Sequence, residues 1–403
     1  MKTNRVVDPA SLLIGSANPD KHLMAIAQIV SDTYANGQYV AEISQQYIGN
    51  CHYDWNVTQL IWNVDQLVHH WGVWGYPMRL GTVQLKVAGI GAVVTQEPYR
   101  KQGLMRTAAL KSFQAMDENG YDLSILRGRH YAKFGYVRAW NYVTYRLKPE
   151  EIPGFDIQPV YEPLGPAHMD DIIALYNEAY KRYSGTAVRP TYRMLENGDM
   201  GAYGWFDDAG KLAGYVRVKP TEDKKALQCL EAVGEVQTGF AVLSDLFNKE
   251  AYESLAFFTL PYHHPFLQQI RRGACLVEDR YFYHNGWQVR LVNLMGVLGK
   301  LRPLLQTRLQ QSHLANWTGY LTLDAGDQEA TFGFENGRIQ ITTNSAEQHT
   351  IQGGPAIARL LIGSDEPDEI IRQEEMTCTG IADELASVLF PNMCPMLSHW
   401  DEY

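Results

Sequence analysis

The chain has 403 residues and 45% hydrophobic residues, enough to build two or three ordinary cores. Its formal net charge of −10 argues against a nucleic-acid partner, because binding to phosphates needs a basic surface. We expect no membrane span, no signal peptide and no metal site, and five scattered cysteines predict a reduced, cytoplasmic protein.

The first predicted helix begins at Asn18-Pro19, a capping residue followed by a proline that fits the first turn. An aromatic section follows, which we expect to be mostly loop. Its aromatic residues are Tyr34, Tyr39, Tyr47, Tyr53, Trp55 and Trp62. Strands are then predicted over residues 66–73 and 81–88, before a further buried strand. This order predicts a central sheet with helices on its faces.

A candidate anion-binding turn connects that further strand to a helix predicted over residues 105–116. Backbone N–H groups at a helix start have no intrahelical partner, so this end attracts a pyrophosphate. Gly103 leaves room for a phosphate to approach the backbone. The candidate binding residues are Val93, Val94, Thr95, Arg100, Lys101, Gln102, Gly103, Leu104, Met105 and Arg106. The alternative is an ordinary strand-to-helix turn with exposed basic residues.

A second motif follows a strand predicted over residues 122–126. It reads Tyr131-Ala132-Lys133-Phe134-Gly135-Tyr136. The two motifs, in this order and at this separation, resemble those of the GNAT N-acetyltransferases, whose patterns are Arg/Gln-x-x-Gly-x-Gly/Ala and Tyr-x-x-Phe/Leu-Gly-Phe/Tyr. Met105 departs from the first pattern, because it stands where the family has a small residue. Taken singly, Tyr131 fits a packed core tyrosine equally well.

Two further units are predicted beyond a proline-rich linker at residues 147–154. The first has a helix over residues 167–183, a hairpin over 205–218, and a strand over 230–233 followed by a helix. It repeats the order of the opening unit, but it lacks the phosphate-binding pattern, and Glu235 would repel a phosphate. The last unit has a strand over 287–294, an amphipathic helix over 295–312, strands over 319–323, 330–334 and 338–342, and short helices over 355–362 and 379–389.

Two tandem GNAT-like units followed by a module similar to sterol carrier proteins resemble the Eis family (enhanced intracellular survival). The resemblance predicts an α/β (α+β) fold with three domains. These are a catalytic GNAT domain at residues 1–148, a degenerate GNAT domain without cofactor at 149–285, and a sterol-carrier-protein-like domain at 286–403. It also implies acetyl-CoA as cosubstrate and a homo-oligomer, with a hexamer as the leading expectation.

The resemblance implies a role for two tyrosines at the site. Tyr131 is expected to act as general acid toward the departing thiolate. The C-terminal carboxylate of Tyr403 is expected to act as general base, because an amine with a pKa of about 10.4 must lose a proton before it attacks. A free α-carboxyl is a weak base unless burial raises its pKa. The alternative for Tyr403 is a frayed terminus.

The predicted substrate is a small-molecule primary amine of the aminoglycoside, polyamine or lysine type. Aromatic faces and carboxylates both attract ammonium groups, so Tyr34, Trp55, Asp401 and Glu402 are the candidate substrate-binding residues. Each aromatic residue fits a core position as well. The alternative function is a non-catalytic or lipid-binding protein that uses its C-terminal domain.

Overall fold

The structure is a computed structural model that describes residues 11–49, 52–191, 201–282, 285–344, 346 and 348–402. These residues form three β-sheets of seven, seven and five strands with helices packed on them. The fold is therefore the mixed α+β arrangement that the sequence predicts.

The strands, in chain order, are β1 (Leu12–Ser16), β2 (Gln59–Asn63), β3 (Gln66–Leu80), β4 (Val83–Thr95), β5 (Leu123–Arg127), β6 (Val137–Arg138), β7 (Tyr142–Leu147), β8 (Glu162–Pro163), β9 (Ala202–Phe206), β10 (Leu212–Pro220), β11 (Ala226–Val233), β12 (Ser254–Phe258), β13 (Leu276–Arg280), β14 (Trp287–Leu291), β15 (Gly319–Asp324), β16 (Glu329–Glu335), β17 (Arg338–Thr342), β18 (Thr350–Gln352) and β19 (Thr377–Cys378). The α-helices are α1 (Pro19–Tyr34), α2 (Val40–Glu42), α3 (Leu104–Glu118), α4 (Met169–Ala179), α5 (Val236–Lys249), α6 (Pro265–Ile270), α7 (Leu294–Gln310), α8 (Ile357–Ile362), α9 (Pro367–Gln373) and α10 (Ala382–Leu389).

The three sheets exchange strands along the chain. The first has the order β1-β2-β3-β4-β5-β14-β6, and the second has the order β13-β7-β12-β11-β10-β9-β8. Strand β14, from the predicted third domain, therefore lies between β5 and β6 of the first sheet. Strand β7, from the predicted first domain, lies in the second sheet. A linear division at residues 148 and 285 does not describe the sheets, and as a domain division it stays a prediction.

Several predicted elements differ from the observed ones in their bounds. Helix α1 begins as predicted, with the Asn18 side chain accepting a hydrogen bond of 3.1 Å from the Lys21 backbone. The aromatic section is more helical than expected, because α2 leads into a π-helix over Ile43–Ile48. The strand predicted at 81–88 and the strand containing Val93 are one continuous strand, β4. Helix α9 was not predicted from the sequence.

One continuous hydrophobic core joins the first sheet to the C-terminal region. It contains Met78 and Leu123 from the first sheet, Leu298 and Leu305 from α7, and Phe332 from the third sheet. All five side chains are buried. The leucine stripe predicted for α7 therefore faces inward and fixes the C-terminal region onto the first sheet.

Every helix in the described part of the chain is too short or too polar to cross a lipid bilayer. Within the same residues, no group of three or more His, Cys, Asp or Glu side chains is arranged to hold a metal ion.

Candidate active site

The first sheet opens between two parallel strands. Strands β4 and β5 pair from residues 87 and 123 to residues 90 and 126, and β4 then continues to Thr95 without β5. On its other side β4 has a bulge, because Ala92 and Val93 together face Trp71 of β3. Ala92 has a φ of +46°, a left-handed conformation that is uncommon for alanine. The last residues of β4 therefore border an opening in the sheet.

A buried histidine fixes this bulge. The ring Nδ1 of His70 lies 2.7 Å from the Ala92 carbonyl oxygen, and its Nε2 lies 2.7 Å from the Tyr53 hydroxyl oxygen. A carbonyl oxygen only accepts, so Nδ1 carries the proton and Nε2 accepts from Tyr53. Burial lowers the pKa of His70 to about 4, so the ring is neutral near pH 7.

The turn after β4 is pinned to the sheet and ends at an open helix start. The buried hydroxyl of Tyr99 accepts a hydrogen bond of 2.9 Å from Asn63 and donates one of 3.2 Å to Gln66. Gly103 has a φ of +81° directly before α3, and a Cβ built there would meet no atom within 4 Å. The backbone at this helix start is thus accessible to an anion, as the sequence predicts.

The predicted cofactor residues divide by exposure. Arg100, Lys101 and Arg106 are exposed around the helix start, where they add positive charge. The side chains of Val94 and Leu104 are buried in the core, so these two residues can reach a ligand only through their backbone. The partly buried set comprises Val93, Thr95, Gln102 and Met105.

Tyr131 lies directly before a single 3-10 turn over Ala132–Phe134. Its ring centroid lies 6.1 Å from that of Trp71, the residue opposite the bulge. Gly128 makes room for it, because a Cβ at this glycine would lie 3.0 Å from the Tyr131 ring. Burial raises the pKa of Tyr131 to about 12, and the nearby Tyr34 hydroxyl adds to the increase.

Strand β14 holds both ends of the loop that carries Tyr131. Gln288 donates a hydrogen bond of 2.6 Å to the Gly128 carbonyl oxygen. Arg290 donates one of 2.5 Å to the Phe134 carbonyl oxygen. Two residues from far along the chain therefore set the position of Tyr131.

Tyr34 also lies at this opening, and its role in substrate binding stays a prediction. It ends α1, and its hydroxyl donates a hydrogen bond of 3.2 Å to the Val93 carbonyl oxygen on the bulge. Tyr34 also raises the pKa of Tyr131, whose ring packs against Trp71 opposite the same bulge. Val93, Tyr34 and Tyr131 thus meet at the opening between β4 and β5.

Trp55 lies elsewhere. It lines a groove of about 590 Å³ together with Lys86 and Tyr121, near the first residues of β4, whereas Tyr34 and Tyr131 lie near its last residues. Its ring packs 4.6 Å from that of Tyr53. The aromatic section after α1 does not form the expected substrate pocket, because most of its rings pack in the core beside α1. Those packed rings are Tyr47, Tyr53, Trp55 and Trp62.

The two acidic residues predicted to bind substrate have different surroundings. The buried carboxylate of Asp401 accepts hydrogen bonds from Arg189 and Tyr176 of the second domain, so it is not open to a substrate. Oε2 of Glu402 lies 3.5 Å from Arg127, at the end of β5. Oε1 of Glu402 is buried without a hydrogen-bond partner among the described residues. Tyr403 lies outside the described residues.

Residues 20–139 match a family model described as an acetyltransferase (GNAT) domain. The chain therefore contains an acetyltransferase domain of the GNAT type. A GNAT domain implies the use of an acyl-CoA, which suits the open helix start at Gly103. A search of curated proteins found no match.

The whole fold is similar to solved structures that cover nearly the full length of both chains. A probable N-acyltransferase of unknown function from Enterococcus faecalis V583 has a TM-score of 0.74 and 17% identity, and covers 97% of this chain and 99% of its own. A GCN5-related N-acetyltransferase from Anabaena variabilis has a TM-score of 0.73 and 15% identity, over 97% and 100%. Eis1 from Mycobacterium abscessus has a TM-score of 0.69 and 14% identity, over 97% and 100%. At these identities the likeness shows the fold, which is an Eis-like architecture.

Sequence reasoning missed three residues that support this GNAT site. His70 holds the bulge, Arg290 holds the loop of Tyr131, and Arg127 contacts the C-terminal residues. Two adjacent histidines inside an apolar strand were a visible signal for His70. Arg127 and Arg290 gave no local signal, because their partners are remote in sequence.

Proposed function

We propose that the chain transfers the acetyl group of acetyl-CoA to a primary amine. The observation that carries this proposal is the opening between β4 and β5, where Val93, Tyr34 and Tyr131 meet. The amine nitrogen forms a bond to the acyl carbon, and the bond from that carbon to sulfur breaks. Backbone N–H groups near Val93 suit the thioester oxygen, and the Tyr131 hydroxyl suits the departing sulfur.

Tyr131 acts on the sulfur as a hydrogen-bond donor more than as a source of a free proton. A free thiol has a pKa near 8.5, whereas burial raises the pKa of Tyr131 to about 12. Full transfer of the phenol proton would therefore cost about 5 kcal/mol. A hydrogen bond that strengthens as charge develops on sulfur avoids this cost, and the proton lost by the amine can complete the thiol.

The general base in this proposal is the C-terminal carboxylate of Tyr403. Glu402, the residue before it, reaches Arg127, and Gly128 packs against the Tyr131 ring. Glu402 therefore lies beside the start of the loop that carries Tyr131. A carboxylate that loses water through burial becomes a stronger base, which suits the deprotonation of an ammonium group.

The acceptor in this proposal is a cation of the aminoglycoside, polyamine or lysine type. The formal net charge of −10 supports it, since an acidic protein attracts a cationic amine. A panel of these amines should give activity, and activity confined to neutral or anionic acceptors would contradict the proposal.

The C-terminal region serves as a scaffold in this proposal. The buried side chains of its sheet, such as Leu321 and Phe332, pack in the same core as the α7 leucines. A lipid cargo would need that space. A thermal-shift test should therefore give stabilisation with acetyl-CoA and none with a fatty acid, and the opposite result would favour a lipid-binding function.

We further propose that the chain forms a homo-oligomer, with a hexamer as the leading expectation, in the cytoplasm. Light scattering on the intact protein tests the assembly. A mass near that of one 45.7 kDa chain would reject it.

Three variants of the C-terminal residue test the base. Deleting Tyr403 should remove most activity while acetyl-CoA still binds, because only the base is lost. Appending a few residues should do the same, since an added peptide turns the carboxylate into a neutral amide. Tyr403→Phe keeps the ring and the carboxylate and should be nearly silent. Full activity in the extended chain would return the search to a side chain of the first domain.

A further inference from the structure

The second sheet repeats the strand opening of the first. Strands β11 and β12 pair in parallel from Ala226 to Cys229 of β11. Strand β11 then continues to Val233 without β12, as β4 continues without β5. Helix α5 follows, as α3 follows β4. Its start is closed, because the Glu235 carboxylate accepts hydrogen bonds from the Gln237 and Thr238 backbones. A negative charge fixed there opposes a phosphate, so this opening is unsuited to a CoA.

The C-terminal segment, defined here as residues 398–402, lies at this second opening. Ser398 donates a hydrogen bond of 2.8 Å to Glu231, a residue of β11 beyond its pairing with β12. The His399 backbone donates one of 3.4 Å to Thr259, the residue directly after β12. Thr259 in turn donates to the Leu230 carbonyl oxygen of β11. The segment therefore contacts both strands where they separate.

Asp401 is the buried anchor of the C-terminal segment. Its carboxylate lies 3.0 Å from Nε of Arg189, and both side chains are fully buried. The Thr191 hydroxyl also donates to it. Arg189 pairs with Glu231 as well, through an Nη1 that lies 2.8 Å from Oε1. Burial alone would raise the pKa of Glu231, but Arg189 holds it below its usual value, so Glu231 stays charged near pH 7.

Trp400 completes the anchor. Its ring is buried and lies between two guanidinium groups, 5.3 Å from that of Arg189 and 4.2 Å from that of Arg217. Buried ion pairs contribute little net stability, because desolvation offsets their attraction, but they fix one geometry. The arrangement therefore determines where the segment lies more than how stable the fold is.

The next residue turns toward the first sheet. Glu402 contacts Arg127, at the end of β5, while Asp401 is held by the second domain. Adjacent residues thus connect the second strand opening to the loop that carries Tyr131.

We propose that the second domain has kept the GNAT strand opening as a receptor for the chain's own acidic C-terminal segment. Arg189 and Glu231 are then positioning residues, which hold Asp401 and so aim the terminal carboxylate at the first domain. This rests on the proposed function, in which that carboxylate is the base.

The test is Asp401→Asn in the full chain. It keeps the shape of the side chain but removes the charge that Arg189 holds. A displacement of about 1 Å of a reacting group lowers rates by about 100-fold, so kcat should fall by about that factor. The dissociation constant for acetyl-CoA should not change, because the first domain is intact. Asp401→Glu keeps the charge and should restore part of kcat.

Asp365→Asn is the matched control. Asp365 is also buried and paired with an arginine, Arg359, but its other ion pair is to Arg138 and not to the segment. It should leave kcat unchanged in a chain that is folded by circular dichroism. Carboxypeptidase should trim the end faster in Asp401→Asn than in this control, because only the former releases the segment.

If Asp401→Asn fails to fold, Ser398→Ala is the milder variant, since it removes only a neutral hydroxyl, which donates to Glu231 and accepts from Arg189. It should lower kcat several-fold without changing acetyl-CoA binding. If deletion of Tyr403 abolishes activity but the folded anchor variants keep full kcat, the positioning role is overturned and the proposed function stands. If deletion of Tyr403 leaves activity intact, the proposed base itself is wrong.

Discussion

The first and second sheets share a strand arrangement but differ at the point where it could bind a ligand. Each has a parallel pair of strands that separates and a helix that follows the longer strand. In the first, the helix starts at Gly103 among exposed basic residues. In the second, Glu235 occupies the helix start, and the C-terminal segment contacts both strands. One architecture can thus receive either a phosphate-bearing cosubstrate or part of its own chain.

The largest expected effect comes from replacing Tyr131 of the first sheet. Tyr262, at the matching place of the second sheet, is its control. Tyr131 follows β5 by four residues, and Tyr262 follows β12 by four. Tyr131→Phe should lower kcat by about 100- to 1,000-fold, because a hydrogen-bond donor to the charge that develops on the sulfur is lost. Acetyl-CoA affinity should be unchanged. Tyr262→Phe should leave kcat unaltered, and an unchanged rate in Tyr131→Phe would make Tyr131 a packing residue. Steady-state kinetics with calorimetric titration measures both.

The next largest effect concerns the helix start at Gly103, where acetyl-CoA is expected to bind. Gly103→Asp places a carboxylate where the pyrophosphate is expected, and it should weaken acetyl-CoA binding by about 10- to 100-fold. Gly103→Ala adds only backbone strain at a positive φ and should weaken binding less. Equal losses in the two variants would show that backbone strain, not charge, dominates.

Protonation should destabilise both sheets in acid. Burial lowers the pKa of His70 in the first sheet, and of His264 beside the second, to about 4 from 6.5. The unfolded chain therefore binds these protons between pH 6.5 and 4 while the folded chain does not, so the free energy of unfolding decreases as the pH falls through this range.

Each of these two histidines contributes a slope of up to about 1.4 kcal/mol per pH unit. His70→Gln and His264→Gln should each reduce the slope, measured by denaturant unfolding at several pH values. A slope that neither buried variant changes would contradict the prediction.

The smallest expected effect concerns Glu235. Glu235→Gly removes the side-chain cap of α5, which should lower the free energy of unfolding by only a few tenths of a kcal/mol. It should not create a second acetyl-CoA site, because the C-terminal segment still occupies the strand opening. Titration should give one site per chain, and two sites would show that Glu235 alone excludes the cosubstrate.

The sequence was sufficient for features that depend on neighbouring residues. The open helix start at Gly103, the leucine stripe of α7 and the hairpin between β9 and β10 are all local patterns, and the structure has them. Glu235 was also predicted to oppose a phosphate from its place alone, and its position as the cap of α5 explains how.

Features that depend on remote partners could not be predicted. Asp401 resembled a substrate-binding residue because it lies in an aromatic, acidic tail, but its partner Arg189 lies 212 residues earlier. Strand β14 alternates apolar and polar residues like any half-buried strand, and this pattern does not predict which sheet the strand joins. The bulge of β4 could not be predicted either, because a bulge is defined by the register between a strand and the strand that faces it.

The place of β14 has a consequence for synthesis of the chain. Gln288 lies 160 residues after Gly128, whose carbonyl oxygen it binds. At 5 to 20 residues per second, a ribosome needs roughly 8 to 30 s to make that stretch. Throughout this interval β5 has no partner on one side, and an open strand edge is a template for aggregation. The emerging chain therefore needs protection by chaperones until β14 arrives, and a fragment that ends before residue 287 cannot complete its own catalytic sheet.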